Sequence, residues 1–149
     1  MTPPDASDPV RRRAYRRRPS LVGENPDSPA SRVERYVDAA LQDLPVEFAN
    51  RLENLAVVVR REPGPRERLS LGLRKGQTLY GLYQGVPITV RGVGYHLAPP
   101  DRISIFWLPL VRDFSDDGRL ARQVKKTVFH EIAHHFGISD WDLRHTSVR

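Results

Sequence analysis

A chain of 149 residues with 39% hydrophobic and 28% charged residues has the size and composition of one globular domain. It contains no cysteine, which excludes disulfides, thiolate nucleophiles and cysteine-ligated zinc. The formal net charge of +6 depends on arginine, because lysine supplies only three of the 24 basic residues. No apolar run reaches membrane-spanning length, and the sequence therefore predicts a cytoplasmic protein with no membrane partner.

The first 30 residues are expected to form a disordered basic arm ahead of a single domain at 31–149. The arm is rich in Pro, Ser, Asp and Arg, and it has too few large apolar side chains to offset the entropy cost of ordering. Six of its arginines lie in RRRAYRRR (11–18), and no apolar run follows them as an export signal would require. This cluster could bind nucleic acid or anionic lipid, and a solvated tail is the alternative.

Two helical segments are predicted after the arm. From Ser31 to Leu44, apolar residues recur at helical spacing, with Ser31 as the N-cap and Glu34 three residues later. Pro45 ends or offsets this helix. The stretch VEFANRLENL (46–55) then continues as a second helical segment.

Short strands are predicted in the middle of the chain. They are AVVVR (56–60), which a turn at REPGPRE follows, then TLYGLY (78–83), ITV (88–90), and RISIFWLPL (102–110) closed by Pro109. The last of these is either an edge strand with which an extended peptide pairs or a buried central strand. The order of elements predicts an α/β (α+β) domain, with N-terminal helices and a small mixed sheet.

The final predicted helix runs from Arg119 to Phe136. On a helical wheel of about 100° per residue, its apolar side chains fill a broad arc and leave a narrow polar face. That polar face holds His130, Glu131 and His134. His135 lies beside the apolar arc, and we expect it to pack against the core or to support the ligands of a metal site.

The spacing of the histidines points to metal chemistry. His130 and His134 stand four residues apart, so both Nε2 atoms can reach one zinc ion at about 2.0–2.1 Å. Glu131, which lies about 100° further round the helix, can accept a proton from a metal-activated water without being a ligand itself. The pattern H-E-x-x-H therefore predicts a zinc site with a general base.

A third ligand is expected just beyond the helix. Gly137 can adopt the left-handed conformation that ends a helix, and the resulting turn can bring Asp140 back to the metal. Three protein ligands and a water make up a catalytic zinc site rather than a structural one. Asp142, His145 and His96 are the alternatives for the third position.

Around these residues, the chain resembles small bacterial zincin-like metallopeptidases described as having a matrix-metalloprotease-like domain. The similarity covers LPVEFANRLENLAVVV (44–59), TLYGLYQGVPITVR (78–91), PDRISIFWLPL (100–110) and KTVFHEIAHHFGISDWDL (126–143). It implies a minimal zincin-like fold with zinc on His130, His134 and Asp140. Glu131 is then the general base. Longer metzincins share the glycine and third-ligand spacing, but their methionine turn has no counterpart here, because Met1 is the only methionine.

The segment LYGLYQGVPI (79–88) has two interpretations. In a zincin it could line the substrate cleft, and Tyr80, Tyr83 or His96 could then stabilise the oxyanion of a tetrahedral intermediate. The alternative is a tight hairpin whose tyrosines pack against the core.

Three classes of function follow from the motif. The leading one is a zinc-dependent peptidase that acts on a peptide or protein. The second is a metal-dependent hydrolase of another bond such as RNA. Bacterial rRNA-maturation endonucleases carry H-G-x-x-H-x-x-G-x-D-H, but here Glu131 replaces the glycine. The third class is a non-catalytic zinc-binding module, although a structural zinc ion has no use for the carboxylate of Glu131.

Overall fold

The computed structural model describes residues 15–17, 25–49, 52, 55–77, 79–85 and 101–138, which form an α+β fold. The strands are β1 (Tyr15–Arg17), β2 (Leu55–Arg60), β3 (Gly81–Gln84) and β4 (Asp101–Phe106). The helices are α1 (Pro29–Gln42), α2 (Val46–Ala49), α3 (Pro65–Ser70), α4 (Trp107–Asp113) and α5 (Asp117–His135). The predicted strand at 88–90 lies outside these described residues.

The sheet is mixed, as the sequence predicted, with the strand order β1-β2-β4-β3. β2 pairs in parallel with β1 and with β4, whereas β3 pairs with β4 in the antiparallel sense. β4 is therefore a central strand, and all of its residues except Arg102 are buried. The interpretation of 102–110 as an edge strand is wrong, and β3 takes that position in the described sheet.

Three predicted elements have different bounds in the structure. β4 ends at Phe106, and Pro109 lies in the first turn of α4, where the missing N–H breaks no helical hydrogen bond. The expected turn at 61–67 instead leads into α3, which begins with Pro65. In the second helical segment the described residues form the four-residue α2, and Leu55 already belongs to β2.

α1 begins earlier than predicted because Ser28, not Ser31, is its N-cap. The Ser28 hydroxyl accepts a hydrogen bond from the Ser31 N–H at 3.1 Å. Pro29 then occupies the first helical position, where its fixed φ suits a helix and its missing N–H is no loss. Ser31 is thus the third residue of the helix.

The apolar core lies between one face of the sheet and the helices α1 and α5. Its fully buried members include Val33, Val37, Leu41, Val57, Ile103, Ile105, Leu120, Val124 and Val128. Alternate residues of β4 point to opposite faces of the sheet, so Ile103 and Ile105 join this core while Phe106 lies under the guanidinium of Arg60. No helix among the described residues is long and apolar enough to cross a membrane.

β1 belongs to the segment that the sequence assigns to the basic arm. Its three residues pair with Leu55, Ala56 and Val57 of β2. The described core begins later, at Ala30. Removing β1 therefore tests the predicted boundary between the basic arm and the domain near residue 30.

A chain that begins at Asn25 loses β1 but keeps α1, its cap and every residue of the described apolar core. We expect this chain to unfold cooperatively and to retain metal binding. Its melting temperature should lie below that of a chain beginning at Tyr15, because β2 loses a hydrogen-bonded neighbour. Calorimetry of both chains measures the difference, and a non-cooperative transition in the shorter one would place the arm inside the fold.

A second prediction concerns the ion pair between Arg60 and Glu67. The Arg60 Nη1 donates to Glu67 Oε2 at 2.9 Å, and the Gly64 N–H donates to Glu67 Oε1 at 3.1 Å. The hydrogen bond from Arg60 is the main reason why the pKa of Glu67 falls from 4.5 to about 2. The pair therefore stabilises the fold above about pH 4.5, and this contribution is lost as the pH falls toward 2.

We expect Glu67→Gln to flatten the acid side of the curve of melting temperature against pH, between pH 4.5 and 2. Glu62→Gln, which changes a more exposed carboxylate in the same region, serves as the control and should leave the curve unchanged. Identical acid dependence in the wild-type protein and Glu67→Gln would contradict the prediction.

Candidate metal centre

α5 carries the candidate site, and burial of its apolar side chains fixes its orientation. The Asp116 carboxylate accepts the Arg119 N–H at 2.9 Å and caps the helix, which begins two residues earlier than predicted. Apolar residues four positions apart are removed from water along one face: Leu120, Val124, Val128 and Ile132. The remaining faces of α5 are therefore held in fixed directions relative to the sheet.

His130 and His134 present their Nε2 atoms to each other at a distance of 3.1 Å. Together with Glu131 they form the one group among the described residues whose ligand atoms, all within 4.8 Å of one another, could hold a metal ion. Tetrahedral bonds of about 2.0–2.1 Å would separate two nitrogens by about 3.3 Å. The pair is thus already spaced for one shared ion.

The other ring nitrogen of His134 fixes the tautomer of this side chain. Its Nδ1 lies 3.1 Å from the backbone carbonyl oxygen of Ile138. Because a carbonyl oxygen can only accept a hydrogen bond, Nδ1 must carry the proton. In this tautomer the Nε2 of His134 carries the lone pair that binding to a metal requires, and it faces the Nε2 of His130.

The turn after α5 brings the Ile138 carbonyl to His134. Gly137 has a φ of 80°, which confirms the predicted left-handed conformation. Its N–H donates to the His134 carbonyl at 2.9 Å, and the Ile138 N–H donates to Ala133 at 3.0 Å. These two bonds form a Schellman motif, in which glycine is favoured because it has no Cβ. Gly137 thus supports a candidate metal ligand as well as ending the helix.

Glu131 is more enclosed than a helical wheel suggests. The wheel places it on the polar face with the histidines, yet only 8% of its surface is exposed. Thr127, one turn earlier, is similarly buried, and β3 packs against α5 along this side. The glutamate beside the histidine pair is therefore surrounded mainly by protein.

His135 belongs to a buried polar network rather than to the metal group. Its Nδ1 lies 2.9 Å from Asp101 Oδ2, and both side chains are almost completely buried. The Tyr83 hydroxyl donates to the same carboxylate oxygen at 2.6 Å. As expected, His135 packs into the core. The network joins the last residue of α5 to the first of β4 and to β3.

Tyr80 also forms a hydrogen bond with a carboxylate. Its hydroxyl donates to Asp113 Oδ2 at 2.7 Å, and its ring packs edge-on against Phe114. This hydrogen bond raises the pKa of Tyr80 and lowers that of Asp113. The hydroxyls of Tyr80 and Tyr83 both donate to carboxylates, and both side chains pack against the apolar core. This agrees with the packing alternative for the two tyrosines, whereas residues 86–88 of the segment lie outside the described residues.

The candidates for the third metal position lie outside the described residues. They are Asp140, the first choice, and the alternatives Asp142, His145 and His96. The structure also brings two unanticipated residues to the site, Gly81 beside Glu131 and Asp101 beside His135. A glycine inside an alternating strand signals a close backbone approach and could have revealed Gly81. No comparable sequence signal marks Asp101.

One comparison with known proteins bears on this site. A family model described as zincin-like metallopeptidase matches residues 52–148, which include His130, Glu131, His134 and Asp140. No curated protein shows significant similarity to the chain.

We expect the purified protein to bind one divalent metal ion per chain through the histidine pair. Replacing both histidines, in His130→Ala/His134→Ala, should abolish binding because both facing nitrogens are removed. Lys126→Ala, an exposed change one turn before His130, is the control that should keep the ion. Metal content is measured by mass spectrometry after dialysis, and stoichiometric metal in the double variant would refute the assignment.

Proposed function

Because this chain belongs to the zincin-like metallopeptidase family, we propose that it hydrolyses peptide bonds in a zinc-dependent reaction. One observation carries the proposal. Two imidazole Nε2 atoms face each other at 3.1 Å, and the glutamate that follows the first histidine has a carboxylate oxygen within 4.8 Å of them. A structural zinc site needs no carboxylate base in that position, whereas a hydrolytic site does.

His130 and His134 would hold the zinc ion through Nε2, and Asp140 is the proposed third ligand. When bound, zinc supplies a Lewis acid that polarises a carbonyl and makes water more acidic. The Ile138 carbonyl keeps His134 in the tautomer that can bind a metal. Such outer contacts commonly change metal affinity about 10–100-fold when they are lost.

Glu131 is the proposed general base. Its carboxylate accepts a proton from the water that adds to the scissile carbonyl carbon, and it returns that proton to the amine as the C–N bond breaks. The burial of Glu131 supports this role because the surrounding protein restricts its side chain. Among the described strands, β3 packs directly beside Glu131.

β3 also supplies a way to hold a peptide substrate. Among the described strands it pairs with β4, and we propose that an extended peptide adds to its other edge through main-chain hydrogen bonds. Gly81, the first residue of β3, lies against α5 at Glu131. We therefore propose an extended segment of a peptide or protein as the substrate.

Glu131→Gln tests the general base because it removes the basic carboxylate and preserves the size of the side chain. We expect zinc content to be unchanged and peptide hydrolysis to fall by about 10²–10⁴-fold. Digestion of a peptide library gives the rate, and Glu47→Gln, an exposed change in α2, is the control. If Glu131→Gln leaves every detected hydrolysis unchanged, a zinc-binding interaction module explains the protein better than a peptidase.

Asp140→Ala tests the third ligand separately. We expect it to weaken zinc binding because one of three ligands is lost, and excess zinc should partly restore hydrolysis. Visible absorption of the cobalt-substituted protein reports the change in coordination. An unchanged cobalt spectrum would exclude Asp140 as a ligand and leave Asp142, His145 and His96 as candidates, without affecting the proposed role of Glu131.

A further inference from the structure

β3 comes unusually close to α5 at Gly81. A Cβ atom added to this glycine would lie 2.7 Å from Thr127 Cγ2, 3.1 Å from Glu131 Cγ and 3.4 Å from Ile105 Cδ1. Gly81 is not one of the described glycines with a positive φ, so its backbone conformation does not require glycine. Position 81 requires glycine because α5 leaves no room for a side chain there.

Neither neighbour on α5 can easily move aside. Thr127 and Glu131 lie one turn apart on the same side of the helix, and both are buried. The Thr127 hydroxyl donates to the Gln123 carbonyl at 2.8 Å, which holds the rotamer that directs Cγ2 toward Gly81. A methyl group at position 81 would therefore meet two constrained side chains.

The strand is equally constrained. Gly81 is paired with Ile105 in the β3–β4 ladder, and the Phe106 N–H donates to the Tyr80 carbonyl at 2.9 Å. α5 cannot retreat either, because its opposite side is buried in the core. A side chain at position 81 must therefore displace Thr127, Glu131 or both.

We propose that Gly81 is a positioning residue for Glu131. The absence of a side chain lets the β3 backbone lie against Glu131 Cγ and confine the carboxylate beside His130 and His134. This inference rests on the proposed role of Glu131 as the general base. It also explains why a glycine occupies the edge strand at this point.

Four variants separate positioning from packing. Gly81→Ala introduces both close contacts, and Thr127→Ser removes Cγ2 while it keeps the hydroxyl that bonds to Gln123. Gly81→Ala/Thr127→Ser therefore relieves the 2.7 Å contact and leaves the 3.1 Å contact with Glu131. Gly64→Ala is the matched control, since a Cβ there would meet only Glu67 Oε1 at 3.4 Å.

We expect Gly81→Ala to keep stoichiometric zinc, to lower the melting temperature and to reduce kcat about 10–100-fold with little change in KM. A misplacement of about 1 Å is enough for such a loss. In the double variant the melting temperature should recover toward that of Thr127→Ser, while kcat remains low. Gly64→Ala should retain the kcat of the wild-type protein.

Crystal structures of the wild-type protein and the Gly81 variants give a measurement that does not depend on activity. We expect the Glu131 carboxylate to shift by about 1 Å relative to the two Nε2 atoms. If Gly81→Ala does not fold, the double variant supplies the same comparison. An unmoved carboxylate, or a kcat restored to the level of Thr127→Ser in the double variant, would overturn the proposal. If the carboxylate moves but the wild-type protein cleaves no peptide, the positioning role stands and the proposed function fails.

Discussion

Burial of four side chains on one face of α5 is the interaction on which the candidate site depends. Leu120, Val124, Val128 and Ile132 are at most 3% exposed. Removing each from water contributes about 1.5–3 kcal/mol, so a rotation of α5 that exposed all four would cost about 6–12 kcal/mol. That is comparable to the whole net stability of a typical domain, about 5–15 kcal/mol. The rotation of the helix about its axis is therefore fixed.

With this rotation fixed, the other two faces of α5 acquire distinct environments. Thr127, Glu131 and His135 recur at intervals of four and are all buried, and β3 and the start of β4 supply their contacts. His130 and His134 lie on the next face round the helix and are half-buried. One helix thus holds the proposed base within protein and presents the proposed metal ligands toward an accessible side.

Local features of the site could be predicted from the sequence because they depend on residues close together in the chain. The apolar period of α5, the spacing of the histidines and the turn at Gly137 all lie within one helix and its end. The start of α1 shows the limit of such reasoning. Ser28 and Ser31 are both plausible caps, and Pro29 decides between them.

The features that could not be predicted depend on contacts between distant parts of the chain. The sequence allowed 102–110 to be an edge or a central strand, and only pairing on both sides of β4 distinguishes the two. Gly81 lies 50 positions before Glu131, and Asp101 lies 34 positions before His135, so periodicity cannot relate them to α5. The same limit applies to the start of β2, because Leu55 joins it by pairing with Tyr15 and Asp101.

The order of strands also places β1 and β3 at a distance from each other that the sequence alone does not reveal. β1, which lies within the arginine-rich stretch, occupies one edge of the sheet formed by the described strands, and β3 occupies the other. Three strand spacings, about 14 Å, lie between them. If the arginine-rich stretch holds a polyanion, that partner and a peptide bound along β3 would therefore lie at opposite edges of the described sheet.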